Sequence, residues 1–156
     1  MRALILALAL AACAQPQPAA TEAPAAPAAG AEAPTAETAL TQEQALARMP
    51  AWNHARAAGV DFRAVGQEPG WMLDIYTETR MRLLWDYGER IADFPLTAPD
   101  TSQEGATRYE TSQGGRRLAV TIRRAPCQDV MSGEPYPATV QVVIDGRTLQ
   151  GCGKSV

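Results

Sequence analysis

The sequence predicts an all-β fold, a small antiparallel meander barrel of about eight strands behind a short helical N-terminal lead-in. Three observations predict it. From Val60 onward apolar and polar residues alternate in short runs, the period of a strand buried on one face. Turn residues separate the runs, most clearly Asp145-Gly146, since a type I′ turn needs positive φ at both central positions. Residues 41–156, roughly 115 in all, give room for one small domain, and many short strands leave few open edges only when the sheet rolls up.

The lead-in, residues 41–59, reads TQEQALARMPAWNHARAAG. Thr41 followed by Gln44 is a capping-box pattern, and Leu46 with Met49 forms a short apolar face before Pro50 interrupts. The barrel-like domain is 60–156. DFRAV supplies its first strand. WMLDIYT places Trp71, Leu73 and Ile75 on one face, and MRLLWDY does the same for Met81, Leu83, Trp85 and Tyr87. A short strand near RIADF and a weaker one, ATRYETS, follow. RRLAVTIRR alternates cleanly, with Leu118, Val120 and Ile122 inward and Arg117, Thr121 and Arg123 outward. TVQVVI and RTLQG flank the Asp-Gly turn. In that register Val142 faces Leu149, and Cys152 falls on the opposite face.

Upstream, the chain opens MRALILALALAAC, one positive charge before an apolar run. The run is too short to cross a bilayer as a helix, which takes roughly 20 apolar residues, and fits a secretory signal over residues 1–12. Leu10-Ala11-Ala12-Cys13 resembles the lipobox of bacterial lipoproteins. That resemblance implies a diacylglyceryl and N-acyl (palmitate-type) anchor on Cys13, with cleavage just before it. Several chains on one cysteine suffice for stable anchoring, because each buried methylene contributes about 0.8 kcal/mol. Ala14, rather than Asp, implies sorting to the outer membrane, facing the periplasm. Residues 13–40 carry Ala, Pro, Glu, Thr and Gln with no aromatic or β-branched aliphatic residue, so they form a disordered tether spanning at most about 80 Å.

Composition excludes little else. Lys plus Arg number 14 against 17 Asp plus Glu, a net charge of -3, and no basic stripe suggests nucleic acid. Once Cys13 carries lipid, Cys127 and Cys152 remain as an even pair in an oxidising compartment, where a disulfide is the default. A two-thiolate metal site competes, but His54 is the sole histidine and lies outside the barrel. The closing GCGKSV imitates a phosphate-binding loop. It has Thr148 where the motif needs Gly, however, and no room to open the helix the motif requires. No cofactor and no metal site is expected.

Two loops stand out. In FRAVGQEPGW, Pro69-Gly70 fits the centre of a type II turn; Trp71 either plugs one end of the barrel or joins Glu68 in lining its mouth. In CQDVMSGEPYPATV, Asp129, Ser132, Glu134 and Tyr136 form a candidate recognition surface. Equally, Asp129 caps backbone amides there and Tyr136 packs on Pro137. The candidate ligand-binding residues are thus Glu68, Trp71, Asp129, Ser132 and Tyr136. The FxAxGxEPxW motif (Phe62, Ala64, Gly66, Glu68, Pro69, Trp71) and the CxDxMSGxxYPxxVxVxxxGxxLxGC motif (Cys127 to Cys152) resemble a family of small, poorly characterised bacterial envelope proteins and lipoproteins. The resemblance implies an envelope lipoprotein domain and carries no established activity.

The expected function is a non-enzymatic, lipid-tethered binding or interaction module. Its target is an envelope protein, peptidoglycan or a small apolar ligand. Two alternatives are a hydrolase using Glu68 and Asp129 as a carboxylate pair, about 5 to 9.5 Å apart, and a divalent-metal or stress sensor built on Asp129 and Glu134.

Overall fold

The lead-in starts where its capping box predicts. Thr41 caps the helix α1, Gln42–Ala47, its side chain accepting from the Gln44 backbone N–H while the Gln44 side chain accepts from the Thr41 N–H. The computed structural model describes residues 40–156; the signal peptide, Cys13 and the tether up to residue 39 lie outside the described residues. The helix face differs from expectation. Ala45 and Met49 are buried with Leu40, Met72, Leu84 and Ile91, whereas Leu46 points to solvent. A 3₁₀ turn, Trp52–His54, carries the chain onward, and His54 is exposed there, outside the barrel.

Ten strands follow: β1 Phe62–Gln67, β2 Gly70–Tyr76, β3 Arg80–Trp85, β4 Arg90–Pro95, β5 Ala106–Gln113, β6 Arg116–Arg123, β7 Cys127–Gln128, β8 Pro135–Tyr136, β9 Ala138–Ile144 and β10 Arg147–Ser155. Eight form one antiparallel sheet in the order β4-β3-β2-β1-β10-β9-β6-β5. Around that order each strand neighbours its successor in the chain, the short β7-β8 pair excepted, and β1 pairs with β10 from Phe62↔Ser155 to Val65↔Cys152. This is a meander barrel, nearly closed. Its seam lies between β4 and β5, which share no ladder. Past the end of β4 the chain bridges the seam: Thr97 Oγ1 donates to the Glu110 carbonyl at 3.0 Å, and Asp100 and Arg108 exchange backbone bonds of 2.8 and 2.9 Å.

Side chains fill the barrel. Trp71, Leu73, Ile75, Met81, Leu83, Trp85, Phe94, Leu118, Val120, Val140, Val142, Ile144 and Leu149 form one buried cluster around Ala64. Large rings fit because β1 and β10 supply glycines opposite them. A Cβ on Gly66 would stand 2.1 Å from Trp71 Nε1, and one on Gly151 would stand 2.0 Å from the Val65 carbonyl oxygen. Gly153 makes the same allowance for Phe62. The Asp145-Gly146 hairpin has positive φ at both residues, as its type requires, and Leu149 pairs with Val142.

Two further expectations are corrected. The β1–β2 loop centres on Glu68-Pro69, with Gln67 pairing Gly70, so Gly70 already belongs to β2. The Glu68-Pro69 peptide bond is cis, which places proline at the third position of a type VI turn rather than the second of a type II turn. Tyr87 does not continue the face of Met81, Leu83 and Trp85. The chain leaves the sheet at Asp86–Gly88, where φ is positive at all three residues, and Tyr87 is left 55 % exposed. GCGKSV, already set aside as a phosphate-binding loop, falls at the end of β10.

Candidate functional site

Cys127 and Cys152 are joined in a disulfide with Cα atoms 5.5 Å apart, well inside the usual range. Cys152 lies on the outward face of β10, so the bridge pins the segment from Cys127 to Tyr136 against the outside of the wall. That segment is more ordered than its turn-rich composition predicts, because β7 and β8 pair within it at Cys127↔Tyr136 and Gln128↔Pro135.

Asp129 organises the tip of this loop. One carboxylate oxygen accepts from Gln67 Nε2 of β1 at 2.9 Å; the other accepts from the Ser132 backbone N–H at 3.0 Å and its hydroxyl at 2.6 Å. Those bonds, from Ser132 first and then Gln67, hold the carboxyl below the ordinary aspartate range. Ser132 Oγ in turn accepts from the Glu134 N–H at 3.2 Å. Both residues thus sit in one hydrogen-bonded turn that fastens the loop to β1.

The remaining candidates are dispersed. Glu68 lies in the β1–β2 turn and accepts from the Tyr87 hydroxyl at 3.0 Å, a bond that raises the Tyr87 pKa. Trp71 is inside the barrel, its indole N–H donating to the Gln150 carbonyl at 3.2 Å. Tyr136 is buried on the outer wall beside Trp52, with the Lys154 ammonium about 5.0 Å from both rings and bonded to Glu134 at 2.6 Å. Burial foremost, with the Glu134 charge, pushes the Tyr136 hydroxyl pKa up. Among the described residues no three His, Cys, Asp or Glu side chains gather as a metal-ligand set.

What the fold does bring together is a groove across the outside of β1. Two hollows of about 300 and 230 Å³ share Val65, Gly66 and Gln67 as their floor. The first is walled by the disulfide, Asp129 and Val130; the second by Leu46 of α1, Met72, Leu84 and Tyr87. Five large apolar side chains stand exposed among the described residues. Leu46, Tyr87 and Val130 border this groove, and Met131 follows Val130 at the loop tip.

No relative declares itself. Compared with family models, curated proteins and solved structures, the chain gives no match in any of the three. The motif residues nonetheless have visible roles here: Gly66, Trp71 and Gly151 interlock in the core, while Asp129, Ser132 and the disulfide build one wall of the groove.

Sequence reasoning missed the groove's apolar rim. The adjacent pair Val130-Met131, inside an otherwise polar loop tied down by cysteine, was the available signal. Leu46 and Tyr87 carried none, since periodicity assigned both to buried faces.

Proposed function

We propose that the protein is a lipid-anchored envelope lipoprotein that works as a non-enzymatic binding module, seating an apolar segment of a partner protein in the groove across β1. The observation that carries the reading is that Leu46, Tyr87 and Val130 border two hollows with a common floor at Val65, Gly66 and Gln67. Solvent-exposed apolar residues scattered singly need no explanation, but a contiguous set beside a preformed hollow marks an interaction surface. Two shallow hollows side by side suit successive side chains of an extended segment, whereas a compact ligand favours a single pocket that buries most of its surface. The disulfide and the Asp129 bonds order the loop before binding, which lowers the entropy cost of association. Side chains occupy the barrel interior, so a carried lipid has its place outside the barrel if anywhere.

The test is photo-crosslinking in living cells. A crosslinking residue at Val130 or Tyr87 is expected to trap one defined envelope protein, whereas the same residue at Glu104, exposed in the loop between β4 and β5, traps none. Equal labelling at the three positions, or none at any, would remove the groove as a binding site. Mass spectrometry of the mature protein is expected to find acylated Cys13 at its amino terminus; an unmodified terminus would remove the anchor.

A further inference from the structure

A second feature lies just past the C-terminal end of α1, on the seam of the barrel, and is separate from the groove. A hollow of about 330 Å³ is lined by Arg48, Arg82, Ile91, Ala92, Asp93, Gln113, Gly114 and Arg116. Three guanidiniums meet there, Arg82 paired with Asp93 inside the lining and Arg116 with Asp145 beside it. Arg82 is held rigid: Nε and Nη2 donate to the two oxygens of Asp93 at 2.6 and 2.7 Å, and Nη1 donates to the Arg48 carbonyl at 2.8 Å. A guanidinium has five N–H donors, so two of Arg82 remain for another acceptor. Arg116 comes from the far side of the seam, packed with its guanidinium carbon 5.6 Å from the Trp85 ring centre and paired with Asp145 at 3.3 Å. Arg48 is exposed at the end of α1, and its charge reaches Asp93.

We propose that this arginine-lined hollow binds a phosphate group, either free in solution or at the end of a phosphomonoester lipid. With Asp93 and Asp145 both counted the hollow keeps a net positive charge, which favours an anion, and phosphate presents its oxygens as a compact group. Guanidinium forks match its oxygens in pairs. The positive field registers independently on Asp93. Burial alone would raise its pKa, yet the Arg82 bonds and the charges of Arg82, Arg80 and Arg48 outweigh burial and hold it below the usual range. Positive side chains on an unpaired sheet edge also keep other strands away. That role asks only for scattered charge, not for an arginine locked on three bonds with donors left over a cavity.

The experiment titrates full-length protein in neutral detergent with inorganic phosphate, and separately with a short-chain phosphatidic acid, while the arginine Nε–H signals are followed by NMR. A short-chain phosphatidylcholine is the control lipid. Saturable shifts of the Arg82 Nε–H are expected with at least one phosphate source. Inorganic phosphate acting alone identifies a free anion; a response confined to phosphatidic acid identifies a lipid headgroup. Arg48→Gln is expected to weaken binding at least tenfold without changing the melting temperature, because only the Arg48 backbone contacts Arg82. Arg123→Gln, an exposed arginine outside the hollow, should leave binding as it was. The proposal fails if neither source gives a saturable shift, if phosphatidylcholine does equally well, or if the two arginine variants weaken binding alike.

Discussion

Arg63 and Asp74 face each other across β1 and β2 and are joined by two hydrogen bonds of 2.6 and 2.7 Å, with side chains 1 % and 0 % exposed. The pair sits on the outside of the barrel, yet the lead-in covers it: Arg63 Nη2 also donates to the Pro50 carbonyl at 2.8 Å, and its guanidinium lies 5.0 Å from the centre of the Trp52 ring. The ion pair thereby helps fasten 41–59 to the wall, together with the packing of Ala45 and Met49.

Removing one partner leaves a charge without compensation in a dry site. Asp74→Ala is therefore expected to cost about 3 to 5 kcal/mol in urea unfolding, while Arg63→Met with Asp74→Leu recovers much of the loss. Hydrogen exchange in residues 51–56 should quicken in both variants. A single variant as stable as the parent would show that the pair is not desolvated.

Gly151 marks the tightest contact in the core. A methyl group there meets the Val65 carbonyl at 2.0 Å and the Trp71 ring at 2.7 Å, and a backbone oxygen cannot rotate away. Gly151→Ala is expected to destabilise by about 1 to 3 kcal/mol, the usual range for overpacking. Thr148→Ala, at an exposed position on the same strand, should be near neutral. Equal melting temperatures for the two would refute the interlock.

The disulfide closes a loop of 25 residues. On the chain-entropy account, reduction should lower unfolding free energy by about 3.5 kcal/mol. Urea midpoints with and without reductant measure it, and thiol titration of native protein is expected to find neither Cys127 nor Cys152 free.

Acid should loosen the groove's outer wall before it unfolds the barrel. Asp129 has a lower pKa in the folded protein than in the unfolded chain, so its contribution is complete above the unfolded pKa of about 3.9 and disappears as pH falls through the folded value. Exchange protection of the Ser132 and Gly133 amides is expected to drop in that window, below about pH 4. In Asp129→Asn it should be weaker at neutral pH and flat through the same range. Protection in the parent that ignores acid would show the turn is held by other bonds.

Strand positions were legible because alternation and the Asp-Gly turn are local signals. Leu118 and Val120 face inward as RRLAVTIRR implies, and the eight barrel strands fall where the periodicity places them. The disulfide followed from counting cysteines. What could not be read was anything set by long-range placement. No local pattern distinguishes Arg63 from an ordinary outward arginine, since its burial comes from Pro50 and Trp52 folding over it. Tyr87 kept the alternating rhythm while the backbone turned out of the sheet. The groove depends on α1 and the Cys127 loop settling on opposite sides of β1, a relationship no short stretch encodes.

The ladder between β1 and β10 has a consequence for biogenesis. Apart from β6 with β9, each half of the sheet is assembled from hairpins between successive strands, but the ladder that joins the halves links partners separated by up to about ninety positions, as in Phe62↔Ser155. Until β10 has been made and delivered, β1 and β9 each present a naked flank to any passing polypeptide. The half-built molecule is accordingly the vulnerable one, and a lesion that shortens β10 should send the protein to proteases or insoluble deposits rather than yield a smaller working barrel.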